Sequence, residues 1–458
     1  MSIFGTDGVR GIPGREPLTD DCVRRLGFTA ASAFLERSVR PAGAGTPFAL
    51  LGRDTRRSGP RLSRLLSEGF ARAGCRSVDI GVAPTPAVSY LARERGAAFG
   101  AVVSASHNPP EFNGIKFFTP EGFKAPIALE ERIEARLART PELPGRLRVR
   151  PDGRDAEGLR DYLDFLRSTF PAGLSLEGRT IVVDAANGAA SPVAAELFRS
   201  LGAEVRAFGC RPDGDNINVG CGALETGRMQ REVVRRRADC GVSLDGDADR
   251  AVLADERGRL LDGDALIAMS AQHLQEQGLL LGGSVVVTVM SNFGLLRWLD
   301  ARGIGAVQVP VGDRNVTDAI EKGGYALGGE NSGHVVFRRL APTGDGLLTA
   351  LQTLAVWAES GRPMSAFRSL YRPYPQLLRN VRIARRVPLE ELPAFGRSLA
   401  RAQKALAGRG RVFVRYSGTE PLLRILVEGP DAAALKRLAH GLERDFQNEA
   451  ARRISKCP

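Results

Sequence analysis

A cadence of strand, helix and strand recurs three times along this chain, and it restricts the fold to layered α/β domains. In the first copy, Phe48 to Leu51 reads as a buried strand and Pro60 to Ala73 as an amphipathic helix. A strand at Ser77 to Ile80, a helix at Pro84 to Arg93 and a strand ending at Ser104 follow. The second copy runs from the strand Thr180 to Val183 through a helix after Pro192, a strand at Val205 to Phe208 and a helix near Arg228 to Arg237, and ends on the strand Gly241 to Leu244. The third takes in a helix at Asp264 to Gln275, strands at Ser284 to Val289 and Ala306 to Val309, and helices at Phe293 to Ala301 and Val316 to Lys322. After a helix at Leu347 to Glu359, two prolines in Tyr371-Arg372-Pro373-Tyr374-Pro375 mark a linker to a smaller set of strands and helices.

The expected organisation is therefore three similar α/β domains followed by a smaller α+β domain, spanning residues 1–154, 155–256, 257–370 and 371–458. A length of 458 residues suits several cores rather than one, at about 150 residues per domain. No apolar run approaches the ~18 residues of a membrane span and no signal segment opens the chain, so a cytoplasmic protein that does not enter membranes is expected. Six cysteines without a C-x-x-C pair signal neither zinc nor a disulfide framework, and they are expected to be reduced. The net charge of +12 invites a nucleic-acid reading. Yet only six of the 64 basic residues are lysines, and the arginines are spread over every helix face instead of clustering with aromatics. No nucleic-acid partner is expected; phosphorylated small molecules suit the charge equally well.

Strands of open α/β sheets present ligands at their carboxyl ends, and four such turns carry chemistry. Val102-Val103-Ser104-Ala105-Ser106-His107-Asn108-Pro109 leaves Ser106 where a strand breaks into a loop, with His107 beside it and Lys116 on the strand that follows. Asp245-Gly246-Asp247-Ala248-Asp249-Arg250 places three carboxylates at alternate positions of a turn, suited to one hard cation such as Mg²⁺. An EF-hand loop is the competing pattern, with Glu256 at its twelfth position, but Arg250 stands where that loop needs glycine and the flanks read as strands. Gly328-Gly329-Glu330-Asn331-Ser332-Gly333-His334 offers Glu330 and Ser332 to sugar hydroxyls or an amine. Arg415-Tyr416-Ser417-Gly418-Thr419-Glu420-Pro421, closed by Arg424, has the makings of an anion nest. Phe4-Gly5-Thr6-Asp7-Gly8-Val9-Arg10-Gly11 reads as an irregular glycine-punctuated turn, with Arg10 a phosphate ligand only if an anion lies near. No G-x-x-x-x-G-K-[ST] or G-x-G-x-x-G occurs, which argues against a nucleotide phosphate.

In this order the motifs resemble the α-D-phosphohexomutase superfamily over the whole chain, most closely the bacterial phosphoglucosamine mutases; Val311-Gly312-Asp313-Arg314 and Thr343-Gly344-Asp345-Gly346 match further signatures. The resemblance implies four domains around a central cleft and an isomerase acting on a phosphosugar. Glucosamine 6-phosphate and glucosamine 1-phosphate would interconvert through a phosphoserine and glucosamine 1,6-bisphosphate, the intermediate and activator. It implies that Ser106 is the phosphoserine and that Asp245, Asp247 and Asp249, with the Ser106 phosphate, hold one Mg²⁺ per chain. Glu330 and Ser332 would grip the sugar, and Arg415, Ser417, Gly418, Thr419 and Arg424 the distal phosphate. Arg10, His107, Lys116, Arg250 and His334 would surround the reacting phosphoryl, with Lys116, His107 and His334 all open as general base or acid. A homodimer is a possible assembly. The alternatives are a phosphomannomutase/phosphoglucomutase of the same mechanism and a non-catalytic phosphosugar sensor.

Overall fold

A computed structural model of the chain describes residues 3–5, 7–37, 45–143, 155, 157–417 and 421–454. Among these, four sheets form. The first has six strands in the order Phe4–Gly5, Gly8–Gly11, Asn113–Phe118, Phe99–Val103, Phe48–Arg53 and Arg76–Val82. The second orders Leu260–Leu261, Ala251–Asp255, Cys240–Leu244, Thr180–Asp184 and Glu204–Phe208, and the third Gly305–Val309, Ser284–Thr288, Leu327–Gly329 and Val335–Phe337. The fourth, Gln376–Arg382, Leu422–Glu428 and Arg411–Tyr416, is wholly antiparallel.

Sequence periodicity predicts parallel units, and each of the first three sheets does have a parallel core. Each also adds an antiparallel pair: Phe99–Val103 with Asn113–Phe118, Cys240–Leu244 with Ala251–Asp255, and Leu327–Gly329 with Val335–Phe337. The connections inside these three pairs carry Ser106, the Asp245–Arg250 turn and the Glu330–His334 turn. The fully buried strands Phe99–Val103, Cys240–Leu244 and Leu327–Gly329 supply the rigid base, and the returning strand makes a short, fixed loop out of what would otherwise be a helix crossover. The N-terminal segment departs from the irregular turn expected of it. Phe4–Gly5 and Gly8–Gly11 pair with each other and the latter pairs with Asn113–Phe118, so sheet edge overrides the weak propensity of its glycines.

Contacts divide the chain into two compact units, residues 1–290 with 303–370, and residues 291–302 with 371–458. In the first, Phe34, Phe70, Phe99 and Phe117 form an aromatic cluster beneath the six-stranded sheet, with Phe34 and Phe99 stacked at 4.7 Å. In the second, Leu392, Phe395, Leu423, Ile425 and Phe446 centre the core. The expected junction at Arg154 lies outside the described residues. Among the described residues no helix is long and apolar enough to cross a membrane, and Cys22, Cys75, Cys210, Cys221 and Cys240 are free thiols.

Helix starts follow local chemistry. Thr19, Asp262 and Asp345 each cap a helix by accepting a backbone N–H, from Cys22, Ala265 and Leu348 respectively. Asp345 also accepts from the Tyr162 hydroxyl at 2.8 Å, and burial raises its carboxyl pKa to about 6. A carboxyl with a raised folded pKa contributes stability that is complete below its unfolded value near 4 and is lost as pH rises through about 6. Asp345→Asn keeps a cap but cannot ionise. Between pH 4 and pH 8 its stability relative to the parent chain is therefore expected to rise by on the order of 2 kcal/mol, followed by Trp357 fluorescence in a Trp298→Phe background during urea unfolding; a flat difference contradicts the assignment.

Candidate active site

Ser106 sits where the strand Phe99–Val103 ends, 1% exposed, with a left-handed backbone of φ 51° that serine rarely adopts. Its hydroxyl donates to Asp245 Oδ2 at 2.7 Å and lies 3.2 Å from His107 Nδ1. Two elements far apart in sequence thus meet: the serine loop of the first sheet and the acidic turn of the second. Gly246 permits the approach, since a Cβ there would stand 2.5 Å from the Ser106 carbonyl oxygen.

Asp245, Asp247 and Asp249 are all buried, and one carboxylate oxygen from each falls within 4.8 Å of the others. Asp245 Oδ1 accepts from the Arg250 amide at 3.2 Å, while Asp247 Oδ2 accepts from Thr85 Oγ at 2.7 Å and Lys116 Nζ at 3.0 Å. Asp247 Oδ1 and Asp249 Oδ1 have no hydrogen-bond partner among the described residues. Asp249 Oδ1 has only the Arg250 Nε at 3.6 Å beside it; buried carboxylate oxygens without hydrogen bonds, in a set of three hard donors, fit a divalent cation, and the trio can hold a metal ion. Burial, with Asp249 and Asp247 alongside, pushes the Asp245 carboxyl well above its ordinary range. Asp249 goes the other way: burial works against its charge, but His334, 3.6 Å away, and Lys116 and Arg250 overcome it. The flanking strands and a Glu256 carboxylate turned to the Ser365 amide at 3.0 Å exclude the EF-hand pattern.

Cations surround this cluster. Lys116, buried in the middle of its sheet rather than at an edge, bonds Asp7 at 2.8 Å as well as Asp247. Burial opposes its charge, but the two carboxylates outweigh it and hold the ammonium protonated. Arg10 pairs with Asp7 and reaches Asn108 Oδ1 at 3.4 Å. His107 is the exception: burial, Arg250 and Arg10 lower its pKa to about 4, leaving the imidazole neutral at pH 7. His334 is raised, since Asp249 offsets the cost of its burial.

Glu330 is held in place, accepting from the Gly312 amide at 2.9 Å and from Ser332 Oγ at 3.2 Å. Gly333, at φ 92°, packs where a Cβ would come 2.2 Å from Ala251 O, so the Glu330 turn lies directly against the strand leaving the acidic turn. The structure therefore gathers Ser106, His107, Lys116, Arg10, Arg250, His334, Glu330, Ser332 and the three aspartates in the first compact unit. Arg415, Ser417 and Arg424 belong to the second, where Arg415 and Arg424 face each other across paired strands and Arg386 donates to Ser417 O. Burial and Arg424 lower the Arg415 pKa. Gly418 and Thr419 lie outside the described residues.

Sequence reasoning missed Asp7, Asp54, Arg56, Thr85, Lys124 and Asn218. Asp7 accepts from Arg10, Lys116 and Lys124, and Lys124 also pairs with Asp313. The signal for Asp54 and Arg56 was present in Gly52-Arg53-Asp54-Thr55-Arg56, another polar turn at the end of a parallel strand, but one arginine among so many carries little weight.

A serine against three buried carboxylates, ringed by cations, is an arrangement suited to metal-assisted phosphoryl transfer. Models of phosphoglucomutase/phosphomannomutase α/β/α domains I, II and III match residues 1–143, 160–258 and 262–374, and that of the C-terminal domain matches residues 378–444; the chain belongs to this family. Within it, the chain is similar to phosphoglucosamine mutases. That of Symbiobacterium thermophilum is 43% identical, covering 98% of this chain and 99% of its own, and that of Cereibacter sphaeroides is 45% identical over 95% and 96%. The fold matches the crystal structure of a phosphoglucomutase/phosphomannomutase family protein from Burkholderia thailandensis, with a TM-score of 0.79, 24% identity and coverage of 98% and 97%.

The cluster's own repulsion gives a prediction. In EDTA at pH 8, Asp245→Asn is expected to unfold at a higher temperature than the parent chain, by about 1–2 kcal/mol of relieved repulsion. With excess divalent cation the order should reverse, because only the parent gains binding free energy. Equal cation stabilisation of both proteins contradicts a metal role for Asp245.

Proposed function

We propose that this chain interconverts glucosamine 6-phosphate and glucosamine 1-phosphate by way of a phosphoserine at Ser106. The observation that carries the reading is the Ser106 hydroxyl set 2.7 Å from Asp245 within the carboxylate trio, in a chain whose near full-length relatives are phosphoglucosamine mutases. Asp245, Asp247 and Asp249, with an oxygen of the Ser106 phosphate, would hold Mg²⁺, which neutralises charge on the transferring phosphoryl group when bound.

Phosphoryl transfer asks the protein for positioning and charge compensation more than for covalent chemistry. The phosphoryl group leaves Ser106 Oγ for the sugar O1, giving glucosamine 1,6-bisphosphate, which turns over so that its O6 phosphoryl returns to Ser106 and glucosamine 1-phosphate is released. His107, neutral and 3.2 Å from Ser106 Oγ, is placed to accept the serine proton in the return step. Lys116 and Arg250, held cationic by the neighbouring carboxylates, and Arg10 offset the phosphoryl charge. Because Lys116 stays protonated, His334 exchanges the proton of the sugar hydroxyl. Glu330, oriented by the Gly312 amide and Ser332, receives the amine or hydroxyls of the sugar. Arg415, Ser417, Gly418, Thr419 and Arg424 bind the phosphate that is not transferred.

Glucosamine, glucose and mannose phosphates, assayed side by side with Mg²⁺ and a trace of sugar bisphosphate, are expected to show the highest kcat/KM for glucosamine phosphate. A preference for glucose or mannose phosphate would move the substrate assignment and leave the mechanism. Ser106→Ala is expected to lose at least ~1,000-fold in kcat on every sugar, and full turnover by that variant overturns the mechanism.

A further inference from the structure

The main chain of the serine loop is gripped from two sides by residues that touch none of the reacting atoms. Arg56, 1% exposed, lies in the turn after the strand Phe48–Arg53. Its Nη2 donates to Ser106 O at 3.0 Å and Asn108 O at 2.8 Å; its Nη1 donates to Phe112 O at 2.9 Å and to Pro109 O. Its Nε donates to Asp54 Oδ2 at 2.9 Å, and that same oxygen accepts from Ser104 Oγ at 2.6 Å. Ser104 Oγ in turn accepts from the Ser106 amide at 2.9 Å. From the second sheet's domain, Asn218 Nδ2 donates to the same two carbonyls, Ser106 O at 2.9 Å and Asn108 O at 3.2 Å.

Ser106 is thus fixed at both its amide and its carbonyl while its backbone stands in the left-handed region. For a residue other than glycine that conformation is unfavourable and persists only where the surroundings over-determine it. A serine whose loop only needed to be ordered could relax to a common conformation; its Oγ would then leave Asp245. Only a planar fork can reach four carbonyls and a carboxylate at once, which an ammonium cannot do.

We propose that Arg56 and Asn218 are positioning residues for phosphoryl transfer, clamping the Ser106 and Asn108 carbonyls so that the Ser106 side chain is presented to the acidic turn and to substrate. The inference rests on the phosphoserine reading above. It ties the geometry of the nucleophile to the packing of the first domain on the second, because the clamp draws one arm from each.

The test compares Asn218→Gly and Arg56→Lys with the parent enzyme on glucosamine 6-phosphate with Mg²⁺ and bisphosphate primer. Glycine accepts the φ of 62° at position 218, so Asn218→Gly removes the amide donor without adding backbone strain. For Asn218→Gly, kcat is expected to fall ~10-fold and for Arg56→Lys ~100-fold, with KM within about threefold of the parent. The single-turnover rate at which phosphorylated Ser106 loses its phosphoryl group should fall by the same factors, at temperatures where each variant is fully folded. The double variant should lose less than the product of the single losses, since both arms serve the same carbonyls. Should Arg56→Lys fail to fold for want of a full partner to Asp54, Asn218→Gly decides alone. Unchanged kcat in folded Asn218→Gly, or a loss confined to KM, overturns the clamp while the parent's turnover leaves the function standing. No turnover by the parent on any of the three sugar phosphates overturns both.

Discussion

Three carboxylates buried within 4.8 Å of one another are the constraint around which the first compact unit is arranged. At an effective dielectric near 20, two charges 4 Å apart repel by about 4 kcal/mol, so such a trio cannot be buried without compensation. The acidic turn supplies little of that itself beyond Arg250. Lys116 and the Thr85 hydroxyl come from the first sheet's domain and both meet Asp247, while His334 comes from the third and meets Asp249. The site is therefore a point of electrostatic convergence, and the trio can hold a metal ion that offsets the remaining negative charge.

The topology explains how three domains can converge with such economy. Each contributes the connection inside an antiparallel pair, and each connection begins at the carboxyl end of a parallel-core strand. A crossover helix there would have moved the chain to the far face of the sheet; a returning strand keeps both ends of the loop anchored in the ladder. Ser106, the aspartates and Glu330 all stand on supports of this kind and inherit the rigidity of buried sheet.

Much of this was legible in the sequence because buried strands and amphipathic helices leave strong periodic signals. The helix seen at Gly59–Arg72 is expected at Pro60 to Ala73, and the strand Thr180–Asp184 at Thr180 to Val183. The four motif turns were legible because glycine, carboxylate and hydroxyl residues cluster there for reasons of backbone and charge. What escaped was long-range. Phe4–Gly5 and Gly8–Gly11 become strands only because the sheet edge lies beside them, and short, glycine-rich strands have no periodicity to read. Arg56 and Asn218 act on backbone carbonyls 50 and 112 residues away, and hydrogen bonds to main chain leave no trace in residue type. The Lys116 environment was only hinted at, since a lone lysine among apolar neighbours reads equally as an edge residue until the sheet order places it inside.

The most direct test of the central claim is the fate of a phosphoryl group on Ser106. The chain, labelled from ³²P sugar bisphosphate and mapped by peptide analysis, would be mixed with excess unlabelled glucosamine 6-phosphate and Mg²⁺ in a single turnover. The account predicts that label begins on the peptide containing Ser106, leaves it at the catalytic rate and appears first in glucosamine 1,6-bisphosphate. Label found on another residue, or retained on Ser106 while product accumulates, would contradict it.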